Sequence, residues 1–186
     1  MNRVELVEII RTRQTSEQTL SSVIDFVLKQ GKLALVVNDH PGFYTSRLIY
    51  CFSMEIFSLL LDGVRPTDID RATKKFGFHI GLATLIDEFG IDQIASIAVQ
   101  LENDILNDLL KVFIRNHWFG RKSKRGLFVY FNNEKKEDNQ QFNEFIEKRE
   151  RQCFPLTTED IQWRICLRIL NEATRCLEEN VINSPV

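Results

Sequence analysis

The side chains best suited to chemistry in this sequence are a glutamate, a serine and a lysine that lie far apart in the chain. Glu8 lies within an apolar stretch, Ser46 follows a Pro-Gly turn, and Lys122 belongs to a group of four cations within residues 121–125. A carboxylate accepts hydrogen bonds, a serine hydroxyl can donate or accept one, and a lysine is a cation with three donors. Each residue also has a purely structural interpretation.

In those structural interpretations, Glu8 is an outward residue of a half-buried strand and Ser46 caps the helix that follows the turn. The cation group by itself suggests a nucleic-acid patch. The absence of interleaved aromatic residues and the acidic balance of the whole chain disfavour that patch. The three histidines, His40, His79 and His117, are interpreted as surface or core residues rather than proton shuttles.

Other catalytic and metal-binding patterns are missing from the sequence. The four cysteines form no C-x-x-C pair, and no histidine stands at zinc-ligand spacing, so we expect reduced thiols and no metal site. There is no Walker loop, no G-x-G-x-x-G, no G-x-S-x-G and no H-E-x-x-H. These absences argue against the nucleotide, hydrolase and metalloprotease sites that such motifs build.

The composition predicts one soluble globular core, with a small appendage at most. The chain has 186 residues, of which 44% are hydrophobic and 27% charged. Its net charge of −2 and pI of about 6.0 give no global field to attract nucleic acid or anionic lipid. No apolar run is long enough to span a membrane, and the first residues show no signal core.

Apolar periodicity predicts mostly helices, preceded by two short extended segments at residues 4–10 and 33–37. Pro41 and Gly42 end the second segment, and an apolar helix follows from about residue 43 to 61. Residues 132–141 are polar and predict a mobile linker. The last helix, about 158–179, carries an apolar row that needs a partner surface. That row consists of Ile161, Ile165, Ile169, Ala173 and Cys176.

Three motifs together resemble the C-terminal region of NAD-dependent 3-hydroxyacyl-CoA dehydrogenases. They are the stretch 6–10 around Glu8, the run Asp-His-Pro-Gly-Phe-Tyr-Thr-Ser-Arg at 39–47, and Gly-Arg-Lys-Ser at 120–123. Residues 76–92 also match a glycine-containing helix-turn segment of the family. Within the family, the chain most resembles the alpha subunit of the mitochondrial trifunctional protein of fatty-acid β-oxidation.

The resemblance implies a mainly α fold, an orthogonal helical bundle like the C-terminal domain of 6-phosphogluconate dehydrogenase, after two short N-terminal extended segments. It implies four parts: the edge of a dinucleotide-binding domain at 1–42, the helical C-terminal domain at 43–131, a polar linker at 132–156, and the first helix of a truncated second C-terminal domain at 157–186. The rest of the dinucleotide-binding domain is expected to be absent.

The resemblance also assigns roles to the three candidate residues. Glu8 takes the place of the catalytic glutamate that orients the proton-accepting histidine, and that histidine would fall before Met1. Ser46 becomes a substrate contact where many members have asparagine, and Lys122 a contact to the NAD cofactor. Lys124 stands where the family usually has glycine, which predicts a strained or reshaped loop.

Two functions follow from this resemblance. In the first, the chain is the C-terminal part of a 3-hydroxyacyl-CoA dehydrogenase and contributes an acyl-CoA cleft and dimer contacts. In the second, it is a truncated, non-catalytic relative that dimerises or associates with full-length enzyme. The chain alone is expected to be inactive, and a mitochondrial location is implied, with cytoplasm and peroxisome as alternatives because no targeting segment is visible.

Overall fold

In the computed structural model, the described residues are 5–100, 107–131, 136–147 and 155–184. They contain eight α-helices and four short strands, so the mainly α prediction is confirmed. The chain divides into two compact units. The first comprises Met1–Leu48 and Leu170–Val186, and the second Ile49–Ile169. Helices α2 and α8 contribute residues to both, and each unit is described by itself.

The first unit begins with a β–α–β arrangement. Strand β1 is Leu6–Arg11, helix α1 is Glu17–Lys29 and strand β2 is Leu33–Asn38. The strands pair in parallel, with Glu8 opposite Leu35. Because side chains alternate across a strand, the two faces of this pair bury different sets of residues.

One face of the strand pair packs against α1, and the other packs against the C-terminal segment. Ile9 and Val36 belong to the cluster that contains Leu20 and Val27 of α1. The opposite face belongs to a second cluster with the C-terminal segment and the turn before α2. Its members are Leu6, Leu35, Val37, Phe43, Tyr44, Cys176, Leu177, Val181 and Ile182.

The second unit is a helical bundle. It contains most of α2 (Thr45–Leu61), then α3 (Pro66–Phe76), α4 (Leu82–Phe89), α5 (Ile91–Gln100) and α6 (Asn107–Arg115). A single 3₁₀ turn at Arg121–Ser123 leads into β3 (Phe128–Tyr130), which pairs antiparallel with β4 (Lys136–Asp138). The core of this unit contains Phe57 and Phe113, both fully buried. None of the helices within the described ranges is long and apolar enough to cross a membrane.

The stretch 132–156, where the sequence predicts a polar linker, contains regular structure in its described part. Strand β4 and helix α7 (Gln140–Glu147) lie there, and Phe142 of α7 is buried in the core of the second unit. The linker prediction therefore does not hold for these residues. Phe142, Phe145 and Ile146 form an apolar stripe at helical spacing. The sequence predicts a linker here because most of the residues around this stripe are polar.

The last helix, α8 (Thr158–Glu178), buries most of the apolar row that the sequence singles out. Ile161 and Ile165 lie in the core of the second unit, and Ile169 packs against that core. Cys176 is buried in the first unit. The partner surface that this row needs is thus provided within the chain.

A buried carboxylate fixes the strand β3. Asp87 Oδ1 accepts a hydrogen bond from the Leu127 N–H (2.9 Å), while its Oδ2 accepts from the Phe128 N–H (3.0 Å) and the Tyr130 hydroxyl (2.9 Å). Burial raises the pKa of Asp87 from 3.8 to about 6, although these three hydrogen bonds act in the opposite direction. The folded protein therefore binds a proton at Asp87 more readily than the unfolded chain does.

This elevated pKa predicts the pH dependence of stability. The contribution of Asp87 to the free energy of unfolding is fully present below pH 3.8 and is lost as pH rises through about 6. Its loss lowers the free energy of unfolding by on the order of 3 kcal/mol between pH 4 and pH 7. Urea unfolding of the wild type and of Asp87→Asn at several pH values measures this, because the variant lacks the titrating group and its pH slope should be flatter.

Glu88→Gln is the matched control, since Glu88 is the next residue and forms a partly exposed ion pair with Arg121. Its pH slope should follow the wild type. Equal slopes for Asp87→Asn and the wild type would contradict the assignment.

Candidate functional site

The Glu8 carboxylate holds the start of helix α2. Its Oε1 accepts hydrogen bonds from the backbone N–H groups of Tyr44 (2.9 Å) and Thr45 (3.0 Å), and its Oε2 accepts from the Thr45 hydroxyl. Since α2 begins at Thr45, these donors belong to the helix N-terminus, where backbone N–H groups lack intrahelical partners. Glu8 is therefore not the outward strand residue that its sequence position suggests.

The strand pattern explains this position. Glu8 points to the same face of the strand pair as Leu6, toward the cluster that contains Phe43 and Tyr44. The turn before α2 brings the helix start to that face, because Gly42 adopts φ 75° and the Phe43 N–H bonds to the His40 carbonyl. A carboxylate at this point also interacts favourably with the helix dipole, by about 0.3–1 kcal/mol.

The geometry leaves Glu8 capable of one further polar contact. An ionised carboxylate offers about four lone-pair positions, and three are used here. Glu8 is half-buried rather than enclosed, so a donor such as an imidazole N–H can reach it. Because the hydrogen bonds to the start of α2 hold the Glu8 carboxylate in place, this carboxylate can orient a neighbouring donor.

Ser46 is the second residue of α2 and is half-buried. The bonds from Tyr44 and Thr45 show that Glu8, from a different element, caps this helix. The interpretation of Ser46 as the cap therefore does not hold. Its proximity to Thr45 in the chain places it next to the Glu8 contact, so the structure brings these two predicted residues into one region of the first unit.

Arg47 follows Ser46 and is buried, with its charge fully paired inside the first unit. The guanidinium bonds to Glu172 at 2.7 Å and to Glu179 at 2.5 Å. Burial acts to lower the pKa of Arg47, but the hydrogen bonds to Glu179 and Glu172 outweigh it and raise the pKa above its usual range. The sequence assigned no role to Arg47, because its partners lie more than a hundred residues away.

Lys122 lies in the second unit, within the 3₁₀ turn. Its Nζ donates to Asp92 Oδ2 at 2.5 Å and sits 5.9 Å from the centre of the Phe119 ring. A lysine ammonium carries three N–H donors, so the bond to Asp92 leaves two for another acceptor. Lys122 thus keeps the capacity to contact an anion.

The loop around Lys122 is held by its own backbone and by Ser123. The Ser123 hydroxyl donates to the Arg125 carbonyl (2.8 Å) and accepts from the Phe119 N–H (2.9 Å). Lys124 adopts φ 60°, in the left-handed region that favours glycine, which agrees with the expected strain. A Cβ at Gly120 would collide with the backbone of Asp87, so the loop also requires a glycine there.

The sequence also contains three histidines and four cysteines. His40 is in the turn before α2, whereas His79 and His117 are exposed in the second unit. Cys166 and Cys176 are free thiols, and burial raises the pKa of Cys176 to about 11. The Cys51 thiol donates to the Arg168 carbonyl at 3.3 Å, and Cys153 lies outside the described residues. Within the described residues, no group of three or more potential metal ligands occurs.

Two models of one protein family match this chain. The model of the 3-hydroxyacyl-CoA dehydrogenase C-terminal domain matches residues 42–130, and the model of the NAD binding domain of the same enzymes matches residues 1–40. The two matches meet in the Pro-Gly turn that leads into α2.

Curated relatives show the same affiliation. The fatty acid oxidation complex subunit alpha of Shewanella halifaxensis is 35% identical over 191 residues, and that of Vibrio parahaemolyticus is 34% identical over 190. Both alignments cover 100% of this chain but only 27% of the relative. The chain thus spans about a quarter of the length of the relatives that it matches.

Solved structures are similar in fold. The dehydrogenase part of multifunctional enzyme 1 from C. elegans gives a TM-score of 0.76 at 25% identity, covering 98% of this chain and 43% of that one. The 3-hydroxybutyryl-CoA dehydrogenase of Escherichia coli gives 0.71 at 16% identity, covering 96% and 55%, which is evidence for the fold alone. Together, the two family models, the curated relatives and the shared motifs show that this chain belongs to the 3-hydroxyacyl-CoA dehydrogenase family.

Proposed function

We propose that this chain forms part of an NAD-dependent 3-hydroxyacyl-CoA dehydrogenase of fatty-acid β-oxidation. The observation that carries the proposal is the Glu8 carboxylate, fixed by three hydrogen bonds at the start of α2 and adjacent to Ser46. In the family, a glutamate at this place orients the histidine that accepts the proton. The curated relatives named after fatty acid oxidation support the same assignment.

In this reaction the 3-hydroxyl group of the substrate loses a proton to a base, and its carbon loses a hydride. NAD supplies the hydride acceptor when it is bound. Glu8 acts as a positioning residue, because its remaining lone pair accepts the N–H of a histidine and its charge stabilises the imidazolium that forms. Ser46 offers a hydroxyl that can donate to an oxygen of the acyl-CoA substrate.

The residues present fit only part of a dinucleotide site. Strands β1 and β2 form a parallel pair of the kind found in such domains, and Lys122 retains two donors for a phosphate or ribose. The sequence contains no G-x-G-x-x-G loop to hold a pyrophosphate. We therefore assign the binding of most of the NAD molecule to a region of the relatives that lies outside the segment aligned with this chain.

A fusion experiment tests the role of Glu8. A dinucleotide-binding region carrying the histidine, taken from the Shewanella halifaxensis relative, is joined upstream of this chain, and NADH oxidation is followed with acetoacetyl-CoA. We expect the fusion to be active and the chain alone to give no rate above the buffer blank. Glu8→Gln should lower kcat by about 10²-fold or more with little change in KM, because the imidazolium loses its charged partner.

Glu5→Gln is the control for this fusion, since Glu5 is exposed and precedes the same strand. Its kcat should equal that of the parent fusion. An active fusion in which Glu8→Gln has the same kcat as Glu5→Gln would show that Glu8 has no positioning role.

The alternative function, a dimerisation or interaction module, is favoured by a different observation. On α8, Trp163 is 57% exposed and Leu167 is 56% exposed, and the two are one helical turn apart. This pair offers an apolar surface to a second copy of the chain. A dimer and a mitochondrial location both stay predictions.

Light scattering at micromolar concentration tests the alternative. If the pair forms a dimer contact, Trp163→Gln with Leu167→Gln converts a dimer into a monomer, whereas Phe76→Gln, which alters another exposed apolar residue, leaves the mass unchanged. A monomeric wild type, or a dimer that survives the double substitution, would exclude this pair as the contact.

A further inference from the structure

The four cations of residues 121–125 are not equivalent. Arg121 forms an ion pair with Glu88, and Lys122 forms one with Asp92. Arg125 Nη1 instead donates to the neutral side chain of Gln141, at 2.9 Å. Lys124 is exposed and has no carboxylate partner in the described part of the chain. Two positive charges of this loop are therefore unneutralised.

These two unneutralised cations line the same open cavity, which has a volume of about 360 Å³. His117, Ser123 and Tyr130 also line it, but the Ser123 hydroxyl donates to the Arg125 carbonyl and the Tyr130 hydroxyl donates to Asp87. The donors that remain for a ligand are therefore mainly those of the two cations. None of the described residues that line the cavity carries a carboxylate. We call this cavity, which lies entirely within the second unit, the Lys124 pocket.

The backbone of the Lys124 pocket is fixed before any ligand arrives. The Lys124 carbonyl accepts from the Tyr130 N–H at 2.9 Å, and the Lys124 N–H donates to the Arg121 carbonyl at 2.9 Å. Gly120 and Arg125 exchange two backbone hydrogen bonds, at 2.8 and 3.1 Å. Lys124 thus carries its cationic side chain on a loop whose backbone is held by hydrogen bonds. Its backbone is left-handed, a conformation that glycine would adopt without steric cost.

We propose that the Lys124 pocket binds a small phosphate-bearing anion. The Lys124 ammonium and the Arg125 guanidinium donate to phosphate oxygens, and Ser123 and His117 border them. Two unneutralised cations match the charge of nearly −2 that a phosphate monoester carries at neutral pH. The acidic balance of the whole chain disfavours a nucleic-acid strand as the ligand. This proposal does not depend on the dehydrogenase assignment.

Tryptophan fluorescence provides a local readout. The chain has two tryptophans, of which Trp118 lines the Lys124 pocket and Trp163 is exposed on α8. In a Trp163→Phe background, Trp118 is the only tryptophan. We expect a saturable fluorescence change on titration with inorganic pyrophosphate, and with inorganic phosphate at higher concentration, while ionic strength is held constant with sodium chloride.

The variant that tests the pocket is Lys124→Gly with Arg125→Gln, which should weaken pyrophosphate binding by about 10-fold or more. Its matched control is Lys74→Gln with Lys75→Gln, which removes the same charge from two exposed lysines of α3 and should leave the affinity unchanged. Lys124→Gly alone provides a second readout, because glycine accepts the left-handed backbone and the fold is retained.

Three results would overturn the proposal. The first is a fluorescence response that appears equally with sodium chloride alone. The second is an equal loss of affinity in the pocket variant and in the α3 control, which would indicate a general charge effect. The third is unchanged pyrophosphate affinity in folded Lys124→Gly.

Discussion

The contact between Glu8 and the first turn of α2 is the constraint on which the first unit depends. The backbone N–H groups of Tyr44 and Thr45, which lack intrahelical partners, both donate to Glu8 Oε1, and the Thr45 hydroxyl donates to Oε2. This ties strand β1 to a helix that starts thirty-seven residues after Glu8 in the chain. The same hydrogen bonds hold the Glu8 carboxylate in one orientation, so it is already fixed for a role in positioning another side chain.

The second unit uses carboxylates in the same way. Asp70 of α3 accepts from the Thr84 N–H (3.0 Å) in the first turn of α4, where Gly81 provides no side-chain cap. Asp87 of α4 in turn holds the backbone of β3. Each of these acids is partly or fully buried, and each satisfies donors of an element other than its own. Burial of such a charge is tolerated because several hydrogen bonds offset the cost of desolvation.

Local sequence signals were sufficient for much of the fold. The helix Leu82–Phe89 lies between Gly81 and Gly90, Ser16 caps α1, and Pro66 is the first residue of α3. In each case the signal, a cap residue, a proline or a glycine, lies within a few residues of the boundary that it determines. The mainly α class follows from the number of such segments.

Contacts between residues distant in the sequence could not be predicted from local signals. The bonds of Glu8 and the burial of Ile165 join segments distant in sequence, and the apolar stripe of α7 is hidden among polar residues. Family resemblance supplied Glu8, Ser46 and Lys122 as candidates, but it gave no indication that Glu8 caps a helix. Nor did it reveal that Arg47 is neutralised by two glutamates, because no local pattern specifies that pairing.

The most direct test of the account is the amide hydrogen exchange of Tyr44 and Thr45, measured by NMR on the chain itself. The account predicts that Glu8→Ala accelerates exchange at these two amides by about 10-fold or more, because each loses an acceptor for its N–H. Glu5→Ala, which removes an exposed carboxylate beside the same strand, should leave both rates unchanged. Unchanged exchange at Tyr44 and Thr45 in a folded Glu8→Ala variant would contradict the claim that Glu8 holds the start of α2.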